Sequence, residues 1–303
     1  MSNYFLDRFQ GAWLGGMVPL LVSQPKGSKV LSPSVTGWEQ DVYKQIKQQY
    51  DLLLGLQNNQ PVVAQAETFN SIAELLLKLL PAVVYFHDDW SQLRRILSGQ
   101  SSNLALSSEA EADILVWSYI VGLALRRENN FADLANLAVT RLGLNTGDIE
   151  WLEILETAFL QGFTFTELES HMKSRQNKEV PLSLFCFLGN HRNFFLAVSQ
   201  ALAIVDSKEV ASLTGALAGA HVGWRGIPPV WRNRLRKCSF FSDIKRYTEE
   251  LYRMWSGVEY FSSCHDCECV GLANPLSFAI AAPRVVQERA ELKIISQAEY
   301  RRE

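Results

Sequence analysis

From Pro81 to Pro181 the chain runs for about a hundred residues without a proline, although prolines stand at 19, 25, 33, 61 and 81 before that stretch. An interior proline removes one helical hydrogen bond and clashes with the preceding turn, at roughly 3 kcal/mol, so a long stretch that excludes it suits consecutive helices. Apolar periodicity says the same. Trp151, Leu152, Ile154, Leu155, Ala158, Phe159 and Phe163 recur at spacings of three and four, and Ala112 to Leu125 is almost wholly apolar. Strand signals are scarce. The pattern predicts helices at 5–17, 38–57, 70–86, 89–98, 108–127, 130–141, 148–161, 165–175, 180–187, 191–203, 208–222, 228–235 and 240–255, with irregular segments at 20–37 and 257–285. Ser71-Ile72-Ala73-Glu74 has the form of a capping box ahead of a leucine run, which Pro81 is expected to kink or restart.

Composition narrows the class. With 303 residues, 48% of them apolar and 20% charged, the chain is expected to form one large soluble core, a single domain over 1–303. Lys and Arg total 29 against 32 Asp and Glu, a net charge of -3, which provides no general drive toward nucleic acid or an anionic membrane. Membrane insertion is not expected either, because the longest apolar run, Ile114 to Leu125, falls short of the roughly 20 residues a bilayer needs. Five cysteines and a start without a basic, apolar leader point to the cytoplasm. No internal repeat, Walker sequence, Gly-x-Gly-x-x-Gly or Gly-x-Ser-x-Gly is present.

Residues 206–232 carry the most distinctive pattern. Asp206-Ser207-Lys208-Glu209 opens a helix whose Gly215, Ala216, Ala218, Gly219 and Ala220 leave a small-residue face that another helix backbone can approach closely. Gly223-Trp224-Arg225-Gly226-Ile227-Pro228-Pro229 then stops that helix and starts the next. This segment resembles the C-terminal signature of the ADP-ribosylglycohydrolase family, which includes dinitrogenase-reductase-activating glycohydrolases and the J-type crystallins. Arg8-Phe9-Gln10-Gly11-Ala12-Trp13-Leu14-Gly15 is similar to the family's opening helix, and Leu80 to Phe86 with Asp88-Asp89 to its central pair. Pro181 to Leu188 and Asn193 to Val198 resemble the helices before the signature. The likeness covers about 5–255, leaving 256–303 as a cysteine-containing extension, and implies an all-α, compact orthogonal helical bundle.

The resemblance also implies two divalent ions, usually Mg²⁺, that position ADP-ribose and a water through carboxylate ligands. Those ligands are mostly missing. Where the family has Gly-Asp after the opening helix this chain has Pro19-Leu20, its paired aspartates are replaced by Thr36-Gly37-Trp38-Glu39, and of the last motif only Asp206 is retained. Lys208 stands where a second metal-binding carboxylate belongs. Three functions follow as expectations. The first is a divergent relative without hydrolase activity, binding a nucleotide-like small molecule or a protein partner, with Lys208, Glu39 and Asp41 lining the cleft and no cofactor required. The second is an active ADP-ribosyl hydrolase, N- or O-glycosidic, with a rearranged site using one metal or none, in which Asp206 and Glu209 act as acid and base; Asp206 is the one retained metal ligand, and Mg²⁺ is expected only if the ancestral site survives. The third is a scaffold working through its C-terminal segment and the basic helix near 224–237.

Several residues support plainer readings. Asp206 can be the helix N-cap, with Glu209 completing a capping box. In His87-Asp88-Asp89 the last residue is expected to cap a new helix, and Trp231 with Leu235 is expected to turn the Arg-rich run into a solvated amphipathic helix. Cys264, Cys267 and Cys269 surround His265 and can hold zinc with Cys238, form a redox-sensitive loop or stay inert.

Overall fold

The computed structural model describes residues 4–22, 71–128, 134–173, 175–204, 207–238 and 240–257. Twelve α-helices account for nearly all of them, and no strand occurs among the described residues, so the all-α expectation holds. The expected helix at 38–57 lies outside the described residues. Contacts divide the chain into two units, 1–248 and 249–303, and the first holds nearly all of the described elements.

That first unit is built around two helices buried on every side. α1 (Tyr4–Val22) is buried from Arg8 to Leu20, and α10 (Lys208–Val222) from Val210 to His221. Neither has the polar stripe of a surface helix, which is the pattern of an element enclosed by others. They run antiparallel, Gly11 facing Gly219 and Gly15 facing Gly215, at backbone-to-backbone contact. A Cβ on any of the four would lie well inside 3.0 Å of a carbonyl group of the opposite helix. The small-residue face expected at 215–220 therefore exists, and its partner is the opening helix.

Around this pair stand α2 (Ile72–Tyr85), α4 (Ser108–Arg126), α8 (Glu179–Asn190) and α9 (Phe194–Ile204), all touching α10. α3 (Trp90–Asn103) lies on α4, while α5 (Leu134–Leu142), α6 (Glu150–Gln161) and α7 (Phe165–His171) follow along the flank. α11 (Pro229–Leu235) returns to α1, and α12 (Phe241–Ser256) is the last helix among the described residues.

Local chemistry sets most boundaries. Ser71, Asp89, Ser107 and Thr164 each accept a backbone N–H with the side chain at a helix start, as N-caps do. Pro228 caps α11 and Pro229 opens it, where its missing N–H costs nothing. Gly223 ends α10 at φ +81° with the Asp7 side chain packed against it, a place with room for neither a Cβ nor an L-residue backbone.

The prolines require two corrections. α2 runs unbroken through Pro81 rather than restarting there, and α1 extends through Pro19 to Val22 rather than ending near 17. Each proline sits among buried neighbours, Leu79, Leu80, Val83 and Val84 in α2 and Met17, Val18 and Leu20 in α1, and burial of those side chains outweighs the lost hydrogen bond.

Two glycines test the central contact. Gly219→Ala should lose at least about 3 kcal/mol in urea unfolding, because backbone must move to admit the methyl. Gly99, inside α3 with nothing within 4 Å of its Cβ position, is the control. Gly99→Ala should gain about 0.5–1 kcal/mol in the same measurement.

Candidate functional site

The antiparallel glycine contact sorts the helix ends. A further four-residue step from Gly15 and Gly215 brings Pro19 to the level of Ala211, so the end of α1 and the start of α10 share one end of the unit. His221 and the start of α1 share the other, roughly 20 Å away at 1.5 Å per residue.

At the first end α10 starts on Ser207, whose Oγ accepts the Val210 N–H at 3.3 Å and donates to Glu209 Oε2 at 3.0 Å. The cap is thus Ser207, one residue later than expected. Ser207 has the extended backbone that an N-cap requires, and its short hydroxyl reaches the third N–H. Asp206 lies outside the described residues, as do Glu39, Asp41, Cys264, His265, Cys267 and Cys269. Lys208 and Glu209 are both exposed. Below the cap, Thr214 Oγ1 donates to Val210 O at 2.8 Å and to Ser183 O at 3.3 Å, tying α10 to α8.

Do these residues suit a pair of hard cations? At the described positions they do not. Pro19 and Leu20 remain inside α1, buried and without a side-chain oxygen, and Lys208 brings a cation where a carboxylate would be needed. Among the described residues no three His, Cys, Asp or Glu side chains gather closely enough to hold a metal.

The opposite end is polar in a way that no spacing in the sequence announces. His221 is 7% exposed, its ring edge-on to His191 with centroids 5.3 Å apart, and its Nδ1 has no hydrogen-bond partner. Arg127, in left-handed conformation at the end of α4, donates from Nε to His221 O at 3.4 Å. Arg8 donates to Leu125 O at 2.5 Å and lies over the Phe5 ring. Burial first, then His191, Arg127, Arg8 and Arg192, pushes the His221 imidazole down to about 4, so it is neutral at physiological pH. Asp7 accepts the Arg225 N–H at 3.3 Å, and burial raises its carboxyl above the usual range.

A second buried charge lies in α4. Asp113, fully buried, receives Arg175 Nη2 at 2.9 and 2.8 Å, and Glu109 shares the same guanidinium at 2.9 Å. Desolvation outweighs Arg175 and, with help from Glu109 and Glu179, raises the Asp113 carboxyl to about 7. The signal for it in the sequence is an ionisable residue inside an apolar run, a run whose length otherwise points only to core.

The remaining nominated residues have structural duties. Asp89 caps α3 through the Gln92 N–H at 3.1 Å. His87 is buried between the Phe5 and Phe9 rings, its Nδ1 2.8 Å from Val84 O. In α11, Trp231 and Leu235 are buried while Arg234 and Arg236 face solvent, the amphipathic arrangement expected. Arg232 and Arg236 both lie 5.9 Å from the Trp224 ring centre. Cys238 is half-buried, its thiol donating to Arg234 O.

The comparisons agree with this architecture. The family model for ADP-ribosylglycohydrolase matches residues 53–260, more than two thirds of the 303-residue chain. The chain belongs to the ADP-ribosylglycohydrolase family. A solved structure described as an ADP-ribosylglycohydrolase-related protein complex is similar with a TM-score of 0.52 at 20% identity, covering 84% of this chain and 100% of that one, a likeness of fold. No curated protein matches the chain. No helix among the described residues is long and apolar enough to cross a membrane.

Two pH experiments check the buried groups. The unfolded His221 takes its proton near 6.5 and the folded one near 4, so wild-type stability should fall as pH drops through that window, and His221→Gln should flatten the fall in urea midpoints. Asp113 has the opposite sign, because a carboxyl raised to about 7 contributes stability that is lost as pH rises through 7. Arg175→Met should therefore lose about 3 kcal/mol at pH 8, where the carboxylate is stranded, and distinctly less at pH 5.

Proposed function

We propose that this chain is a non-hydrolysing member of the ADP-ribosylglycohydrolase family which uses the exposed start of α10 as a binding site for an anionic, nucleotide-like ligand. Lys208 carries the reading. It is the first residue of a fifteen-residue helix, exposed, at the end of the unit where α1 also terminates. A cation there opposes a divalent metal ion, and together with the partial positive charge of the helix N-terminus it favours a phosphate or carboxylate. Pro19 and Leu20 add to the argument, since the corresponding turn of α1 supplies no ligand to a metal.

In this proposal the residues bind and orient. Lys208 attracts the anionic part of the ligand, Ser207 fixes the first turn of α10, and the Thr214 hydroxyl holds that helix against α8. Glu209, hydrogen-bonded to the Ser207 hydroxyl, takes part in the cap rather than in proton transfer. The cytoplasm is the compartment we propose, and a protein partner at the same surface is the alternative occupant.

Calorimetric titration of ADP-ribose, once with excess Mg²⁺ and once with EDTA, tests the proposal when the same sample is assayed for release of ADP-ribose from a modified peptide. The expected result is binding of equal strength in both buffers with no turnover, weakened roughly fivefold or more in Lys208→Ala, the size of a modest charge-assisted contact. Metal-dependent binding with turnover, abolished by Asp206→Asn, would restore the hydrolase reading.

A further inference from the structure

A cavity of about 440 Å³ opens between α3 and α4, lined by Trp90, Leu93, Ser118, Tyr119 and Arg126, with Arg141 of α5 at its edge. It lies by the end of α2, since His87 also lines it, and His87 packs on Phe5 and Phe9 at the start of α1. This is the end of the unit remote from Lys208, so the cavity and the start of α10 are separate places.

We propose that this cavity is a binding site for a small planar aromatic molecule bearing one carboxylate. Its volume falls in the range of small-ligand sites. Trp90 and Tyr119 meet edge to face at 5.3 Å and give it an aromatic wall, which favours a flat, apolar body.

The polar groups specify the rest. Ser118 is 0% exposed, yet its Oγ has no hydrogen-bond partner, not even the carbonyl four residues back that a helical serine commonly uses. The Trp90 indole N–H is buried and unpartnered as well. A buried donor without an acceptor is a cost that the fold gains nothing from, and alanine at 118 would remove it. An acceptor-rich ligand in the cavity would satisfy both groups once their side chains turn toward it.

Charge narrows the choice further. Arg126 is held from two sides, donating from Nη1 to His87 O at 2.6 Å and from Nε to Glu128 Oε1 at 2.6 Å. Gly122 permits the first of these, since a Cβ there would lie 3.3 Å from the same carbonyl. Arg126 is thus fixed and its charge matched by Glu128, whereas Arg141 makes no ion pair among the described residues. Arg141 is therefore the lining guanidinium left to meet an anionic group on the ligand. The Asp88 and Glu128 carboxylates, which also line the cavity, disfavour a phosphate dianion. The complement is a monoanion whose carboxylate meets Arg141 and whose ring lies against Trp90 and Tyr119.

The inference goes beyond the α10 reading and stands without it. Indole-3-acetate and its neutral counterpart indole-3-acetamide serve as probes, titrated calorimetrically into the full chain. The acid should bind saturably, and the amide roughly tenfold more weakly for want of the charge-assisted contact. Arg141→Gln should bring the acid down to the level of the amide and leave the amide unchanged. Ser118→Leu, which fills the cavity, should abolish binding of both. Should that variant fail to fold, Ser118→Ala replaces it, with a melting temperature no lower than wild type and several-fold weaker binding of the acid. Lys208→Ala should leave both affinities as they are, so loss of ADP-ribose binding and loss of indole-3-acetate binding report on different sites. Absence of saturable binding by the acid, equal binding of acid and amide, or wild-type affinity in the Arg141 and Ser118 variants would each overturn the proposal.

Discussion

Four glycines at backbone contact, Gly11 and Gly15 of α1 against Gly215 and Gly219 of α10, determine how everything else in the first unit is arranged. Helices bearing ordinary side chains pack with axes about 8–10 Å apart; without Cβ atoms the two backbones approach more closely and can add weak Cα–H···O contacts to dispersion. A pair joined that tightly has little freedom to slide, because each carbonyl occupies the place a methyl would take on the opposite helix. The register is therefore fixed in steps of four residues. It is also why both helices can be buried over their whole circumference, since each covers one face of the other and leaves the rest for the helices around them.

From that register comes a separation of chemistry between the two ends. The start of α10 carries an exposed lysine beside a hydroxyl cap, a combination suited to anions. At its far end, His221 meets the carboxyl-terminal ends of two helices, where positive charge would ordinarily be favoured, yet it stays neutral. Desolvation decides this, and Arg8, Arg127 and Arg192 add to it, so the local arginines occupy the place that an imidazolium would otherwise take.

Much of this is legible in the sequence because it is local. The absence of proline from 82 to 180 announces consecutive helices, the Ser71 and Asp89 caps stand where short polar residues precede apolar runs, and Pro229 opens α11 as its position implies. The small face of α10 is visible too, but not its partner, since nothing in residues 11 and 15 says which of a dozen helices they meet. Pro19 and Pro81 mislead because propensity argues for a break and burial, which no local window contains, argues more strongly against one. The capping residue of α10 is displaced by one because Asp206 and Ser207 are both good caps, and backbone geometry chooses between them. The cavity is not legible at all. Its walls come from residues 87 to 141 on separate helices, and no spacing along the chain links Trp90 to Ser118 or to Arg141.

Within the apolar length of α4, Asp113, Ser118 and Arg126 are polar exceptions, and each has a different fate. Asp113 is matched by Arg175, so the fold itself accounts for it. Arg126 sits in the last turn, where a cation is favourable, and ties α4 to the carbonyl of His87. Ser118 alone receives nothing in return for its burial, although alanine would fit its place and serve the helix better. At Ser118 the space next to the helix is the cavity, and the ligand proposed there would supply the partner that the fold does not.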